Sequence, residues 1–297
     1  MQTQPRDLRI GLLLGLIGVV SFSFTLPAMR VAVPQLGPVV VGLGRAVVAA
    51  GLAAALLMLR REPFPKIHAW ALAATGLGVV IGFPLLSALA LRTVPAAHGA
   101  VIVGFLPAAT AVFAKLRAGE RPGHAFWLGS ALGLTSVVVF AEVQGAGSVR
   151  APDIFLILAV VAAAFGYAEG ARVSRELGGW RVICWALVLT APVLLIPVGY
   201  EIVRQGGLYA NATGWAGFAY LAAVSAFLGF FPWYAGLARG GIARVGQLQL
   251  IQLPLTVLWG ALLLGEKISP ATLVAGFGVL ASAAAVLRLR VTVRRDP

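Results

Sequence analysis

Residues 247–266 read QLQLIQLPLTVLWGALLLGE. The run is apolar enough for a bilayer interior, yet it carries three glutamines, a proline at 254 and a closing glutamate. An earlier run, residues 100–120, reads AVIVGFLPAATAVFAKLRAGE. In each, the proline of a Leu-Pro pair stands 12 or 13 residues ahead of a Gly-Glu ending.

The likeness extends outward from both runs. With Pro107 set against Pro254, Gly82-Phe83-Pro84 faces Phe230-Phe231-Pro232, at proline spacings of 23 and 22 residues. Glu120 faces Glu266, and Pro122 and Pro270 follow, each opening a further apolar stretch. The landmarks hold over about 50 residues and describe one unit written twice.

Composition says where that unit sits. The chain has 297 residues, 60% hydrophobic and 11% charged. A soluble chain would carry roughly 25% charged residues. Apolar runs of about 20 residues, the length that crosses a hydrocarbon core, occur near 8–29, 38–59, 68–91, 95–116, 123–142, 153–175, 180–203, 214–237, 243–265 and 270–290. They are continuous and do not alternate, which predicts helices and not barrel strands. The first run is too long for a cleaved leader and has no small-residue cleavage site, so it is expected to remain as a helix.

The repeated landmarks fall on spans three to five and again on spans eight to ten. The period is five, an odd number, so the second copy must lie upside down relative to the first. The predicted fold is all-α and membrane-embedded, with ten transmembrane helices in two inverted five-helix halves, residues 1–147 and 148–297. Charge gives the same polarity. Of the 23 Lys and Arg, 17 fall in segments on the side of the N-terminus, five on the other side, and Arg45 within a span. By the positive-inside rule both termini are cytoplasmic. The net charge of +13 therefore sets orientation and gives no reason to expect nucleic acid. A lone cysteine, Cys184, excludes a disulfide framework and a cysteine metal site.

Inverted repeats relate two halves that exchange conformations around a midplane site, as in secondary transporters. Ten helices, the Leu-Pro midway along spans four and nine, and the Gly-Glu endings resemble the drug/metabolite transporter superfamily, and within it the two-repeat EamA-type exporters. The resemblance covers nearly the whole chain. It implies a multi-pass carrier of the bacterial inner membrane that exports small metabolites by alternating access, without a cofactor and as a monomer. In overall appearance the chain is similar to bacterial amino-acid exporters, which implies an aromatic or neutral amino acid as substrate. Drugs, nucleosides and other metabolites are the alternatives within the same fold.

Other classes lack their signatures. His68, His98 and His124 are scattered at span ends, no H-E-x-x-H, G-x-S-x-G or Walker sequence occurs, and no charged ring suggests a channel filter. The chain is not expected to be an enzyme.

Several residues are candidates for the transport site. Pro84, Pro107, Pro232 and Pro254 each lack an amide and weaken a helix turn. They read either as paired hinges or as ordinary kinks. Gln249 and Gln252 share a helix face and offer neutral amides to a zwitterionic solute or to a neighbouring helix. Glu169 is the deepest acid. It pairs with Arg172 one turn on, or it binds an amino group or a coupling proton. Arg45 either snorkels outward or presents a fork to a substrate carboxylate. His98 is expected to line a wet outer mouth. Phe22, Phe24, Phe83, Phe105, Phe165, Tyr167, Tyr234 and Trp259 are expected to wall the cavity.

Overall fold

A bilayer offers backbone amides no water, so each span must close its own hydrogen bonds, and helices do this. The computed structural model describes residues 5–90, 102–143, 153–265, 270–287 and 291–293. Seven segments are long and apolar enough to cross a membrane. They are α1 (Arg6–Leu36), α2 (Val40–Leu59), α3 (Lys66–Ser87), α6 (Asp153–Leu177), α7 (Gly179–Arg204), α8 (Ala212–Gly240) and α9 (Ile242–Leu264). Three further helices complete the chain order: α4 (Leu106–Ala118), α5 (His124–Val143) and α10 (Pro270–Leu287). The chain is a helical membrane protein of two inverted five-helix halves.

The packing partners show the inversion. α1 packs on α8, and α6 packs on α3; α4 packs on α6, and α9 packs on α1. α2 meets α7, α5 meets α10, and α4 meets α9. Exchanging each helix with the one five places away maps this set of contacts onto itself.

Small residues set the two main crossings. A Cβ added to Gly11 on α1 would lie 2.4 Å from the backbone nitrogen of Gly240, and one on Gly236 of α8 would lie 2.6 Å from that of Gly15. At the other crossing, a Cβ on Gly78 of α3 would lie 2.3 Å from the Ala162 carbonyl oxygen of α6. Backbone cannot yield as a side chain can, so glycine is required at these contacts.

Prolines shape the helices in matched pairs. Residues Gly76–Gly82 and Leu221–Leu228 wind as π-helix, and each segment lies just ahead of Pro84 or Pro232. A proline leaves the carbonyl four residues back without its donor. In the widened turn ahead of Pro232 the backbone pairs at five residues, as where the Gly229 amide donates to the Val224 carbonyl at 2.7 Å. The other two prolines differ from each other. Pro107 opens α4 after a turn at Gly104-Phe105. Pro254 lies within the continuous stretch Gln249–Leu264, and α9 breaks instead at Gln247-Leu248.

One small feature escapes a hydropathy reading. Glu120–Pro122 pairs antiparallel with Val291–Val293, with Glu120 opposite Val293. The segment after α10 thus holds the loop that follows α4.

Close packing makes a sharp prediction. Gly11→Leu should destabilise the detergent-solubilised protein by about 1–3 kcal/mol or prevent its assembly, because overpacking here meets backbone. Gly51, with nothing within 4 Å of an added Cβ, should accept alanine with a gain of about 0.5–1 kcal/mol from reduced chain entropy. Thermal unfolding followed by size-exclusion chromatography checks both.

Candidate functional site

Two polar constellations lie where the halves meet, one in mid-bundle and one at the end rich in arginine.

The middle one joins α2, α6 and α9. Gln249 donates from Nε2 to the Tyr167 hydroxyl at 3.3 Å, and Arg45 interacts electrostatically with the same tyrosine. Arg45 bonds the Gly42 carbonyl of its own helix through Nε at 3.2 Å and has no carboxylate partner among the described residues. The Oε1 of Gln249 and the Nε1 of Trp233 are buried without a hydrogen-bond partner. Aromatic rings close round them. Trp233 stands edge-on to Tyr167 at 5.5 Å and to Phe22 at 6.1 Å, and Phe22 meets Phe230 at 4.8 Å. Tyr234 is fully buried and donates its hydroxyl to the Gly166 carbonyl at 3.4 Å. This region therefore holds a permanent cation, an unfilled acceptor and an unfilled donor, walled by aromatic surface. A few polar groups converging within apolar surroundings are what small-molecule sites use to orient a ligand.

The second constellation joins the arginine-rich ends of α4, α6 and α9. Glu120 is fully buried. Its two oxygens accept from the amides of Ile242 at 2.7 Å and Ala243 at 2.8 Å, and Oε1 also accepts from Arg175 Nη2 at 3.2 Å. It thereby caps the first turn of α9 from the loop that follows α4, a favourable place for a negative charge. Burial pushes its carboxyl above the ordinary carboxylate value, against the pull of the Ala243 and Ile242 amides and Arg175. Glu169, also fully buried, accepts from Arg117 of α4 and from Arg172 Nη2 at 3.0 Å. Gln247 donates to the Pro107 carbonyl at 3.3 Å across the α4–α9 crossing. On the rim, the hydrogen bond from Arg181 at 2.7 Å holds the Glu62 carboxyl below its ordinary value. A concavity of about 950 Å³ opens at this end, lined in part by Arg60, Glu62, Trp180, Arg181, Phe231 and Arg239. It does not reach Arg45, Tyr167 or Gln249.

The other candidate residues separate accordingly. Phe165 of α6 faces Phe113 of α4 at 5.6 Å, with the Arg117 guanidinium over its ring at 5.9 Å, so it belongs to the arginine-rich seam. Phe24 stacks on Trp259 at 4.2 Å, and Trp259 donates to the Ser23 hydroxyl at 2.8 Å, at the opposite end of the bundle. Phe113 is six residues beyond Pro107 and Trp259 five beyond Pro254, so these two aromatic contacts are repeat equivalents. Gln252 is half-buried on the same outer stretch of α9 without a hydrogen-bond partner among the described residues. Phe83 packs half-buried against the core. Phe105 is 42% exposed at the turn before α4. His98 lies outside the described residues.

Glu169 pairs with Arg172, as its spacing suggests, but also with Arg117, more than 50 residues away in sequence. No local pattern signals such a partner. Glu120 carries no sign of its capping role either; along the chain it is visible as a repeat landmark.

Comparison with known proteins accords with this architecture. Residues 9–141 and 150–288 each match the EamA-like transporter family. A protein of Bacillus subtilis (strain 168) named as the uncharacterized transporter YdeK is 44% identical over 275 residues, covering 92% of this chain and 96% of its own. A probable terminal-alkyne amino-acid exporter of Streptantibioticus cattleyicolor is 27% identical over 263 residues, covering 87% of this chain and 86% of its own. A crystal structure of a protein 20% identical in sequence superposes with a TM-score of 0.74 over 94% of this chain and 98% of the other, which shows a shared fold. By sequence match over both halves and by fold, this chain belongs to the EamA-like transporter family.

Proposed function

We propose that the chain exports small zwitterionic metabolites, foremost aromatic or neutral amino acids, as a secondary carrier working by alternating access. The observation that carries the reading is Arg45, a permanent cation inside a membrane span with no carboxylate partner among the described residues. A buried charge without a counter-ion is costly, and a substrate carboxylate supplies one through two parallel hydrogen bonds. The free Oε1 of Gln249 then accepts from the substrate ammonium. Trp233, Tyr234 and Phe22 surround an apolar or aromatic side chain. The name of the Streptantibioticus relative as an amino-acid exporter supports the same class.

The carrier works as a monomer in a bacterial inner membrane, with both termini and the arginine-rich end in the cytoplasm. The positive-charge bias supports that orientation. The self-mapping contacts of the two halves support a rocking motion about the middle site.

Counterflow in proteoliposomes tests the reading. Labelled neutral or aromatic amino acids should enter faster when the vesicles are preloaded with the unlabelled compound. Arg45→Gln should raise the KM for exchange about 10- to 100-fold, the worth of a charge-assisted hydrogen bond of about 1.5–3 kcal/mol. Arg45→Lys should fall between, since lysine keeps the charge and loses the fork. Gln249→Leu should raise KM about tenfold by removing the ammonium acceptor. Trans-stimulation by nucleosides or drugs and by no amino acid would replace this substrate assignment, and an unchanged KM in Arg45→Gln would remove Arg45 from the site.

A further inference from the structure

Among the described residues, the seams at the two ends of the bundle are held by different chemistry. At the end opposite the arginines, the described contacts of the α1–α9 seam are neutral. Pro27 leaves the Ser23 carbonyl without its helical donor, and Thr256 of α9 supplies one at 2.9 Å. The Trp259 bond to Ser23 and its stack on Phe24 complete the contact. At the arginine-rich end, the equivalent α4–α6 seam holds two fully buried carboxylates, Glu120 and Glu169, against Arg117, Arg172 and Arg175. Packing along α9 follows this division. Residues 242–248 are all buried, whereas none of 251–259 is.

We propose that Glu120 is the latch of the cytoplasmic gate: it closes the arginine-rich end by tying α4 to the first turn of α9 and to Arg175 of α6, and its release admits substrate to the middle site. The proposal rests on the alternating-access reading above. The three groups that Glu120 binds belong to α9 and α6, while Glu120 itself follows α4. Moving α4 away from α9 therefore breaks both amide bonds together, and moving it away from α6 breaks the bond to Arg175. A buried carboxylate stripped of its donors is strongly disfavoured, so parting α4 from α9 has to expose Glu120 to solvent or to a new partner. The pairing of Glu120–Pro122 with Val291–Val293 fixes the loop that carries the latch.

Thr110 offers a reporter. It is fully buried on α4, packed near Gly246 of α9, and eight residues above the helix end at Ala118, about 12 Å at the usual helical rise. With Cys184 replaced by alanine, Thr110→Cys is labelled by a membrane-impermeant maleimide in inside-out vesicles. Labelling should be slow with Glu120 present and at least tenfold faster with Glu120→Gln. Glutamine keeps the volume of glutamate but turns one acceptor into a donor facing amides that also donate. Arg175→Gln removes one of the three bonds and should give an intermediate rate. It serves as the reading if Glu120→Gln fails to assemble. Right-side-out vesicles should show no such acceleration in either variant. In counterflow, Glu120→Gln should change the maximal rate more than KM, which a loss of binding groups would not do.

Equal labelling in the parent and in both assembled variants overturns the latch. Acceleration from both sides of the membrane also overturns it, since that reports general loosening. The labelling needs no substrate. If no solute is exchanged yet labelling still accelerates, the transport reading fails and the latch stands.

Discussion

Backbone hydrogen bonding without water is the constraint on which the rest of this molecule depends. Each unsatisfied amide or carbonyl in a bilayer costs several kcal/mol. Helices answer most of the demand, and the exceptions are where the protein becomes specific. Pro84 and Pro232 follow π-helical turns, in which the backbone pairs at five residues and not four. The carbonyl freed by Pro27 takes a hydroxyl from α9. The first amides of α9, which no helix can satisfy for itself, take the carboxylate of Glu120. Breaks in helical pairing thus become the contacts between the halves.

Those contacts are nearly symmetric in place and unlike in chemistry. Phe113 with Phe165 at one end matches Phe24 with Trp259 at the other. Around the first pair the chain has placed acids and arginines, and around the second, hydroxyls and an indole. The duplicated frame thus carries different fillings at its two described seams. The middle of the bundle breaks the symmetry further, because the glutamines of α9 have apolar counterparts near residues 100–105.

Much of the frame was legible along the chain. Apolar run lengths marked the spans, and repeated landmarks with the arginine bias gave the inversion. Arg45, Tyr167 and Gln249 each stood out as polar groups in apolar surroundings. Their convergence did not, since they lie on α2, α6 and α9 and sequence spacing says nothing about which helix faces meet. Nor did the sequence show that α9 breaks at Gln247-Leu248, where Gln247 bonds the Pro107 carbonyl, and not at Pro254.

The sequence by itself determined that this chain lives in a membrane, how often it crosses, and that its halves are inverted copies, because solvent and backbone impose those outcomes residue by residue. Tertiary structure alone decided that Glu120 caps a helix more than 120 residues away, that Glu169 is shared by two arginines, and that Arg45 has neither acid near it. The reason is physical. Membrane partition sums over local composition, whereas pairing of charges depends on the angles and close approaches set by glycines such as Gly11 and Gly236, which act between helices remote in sequence.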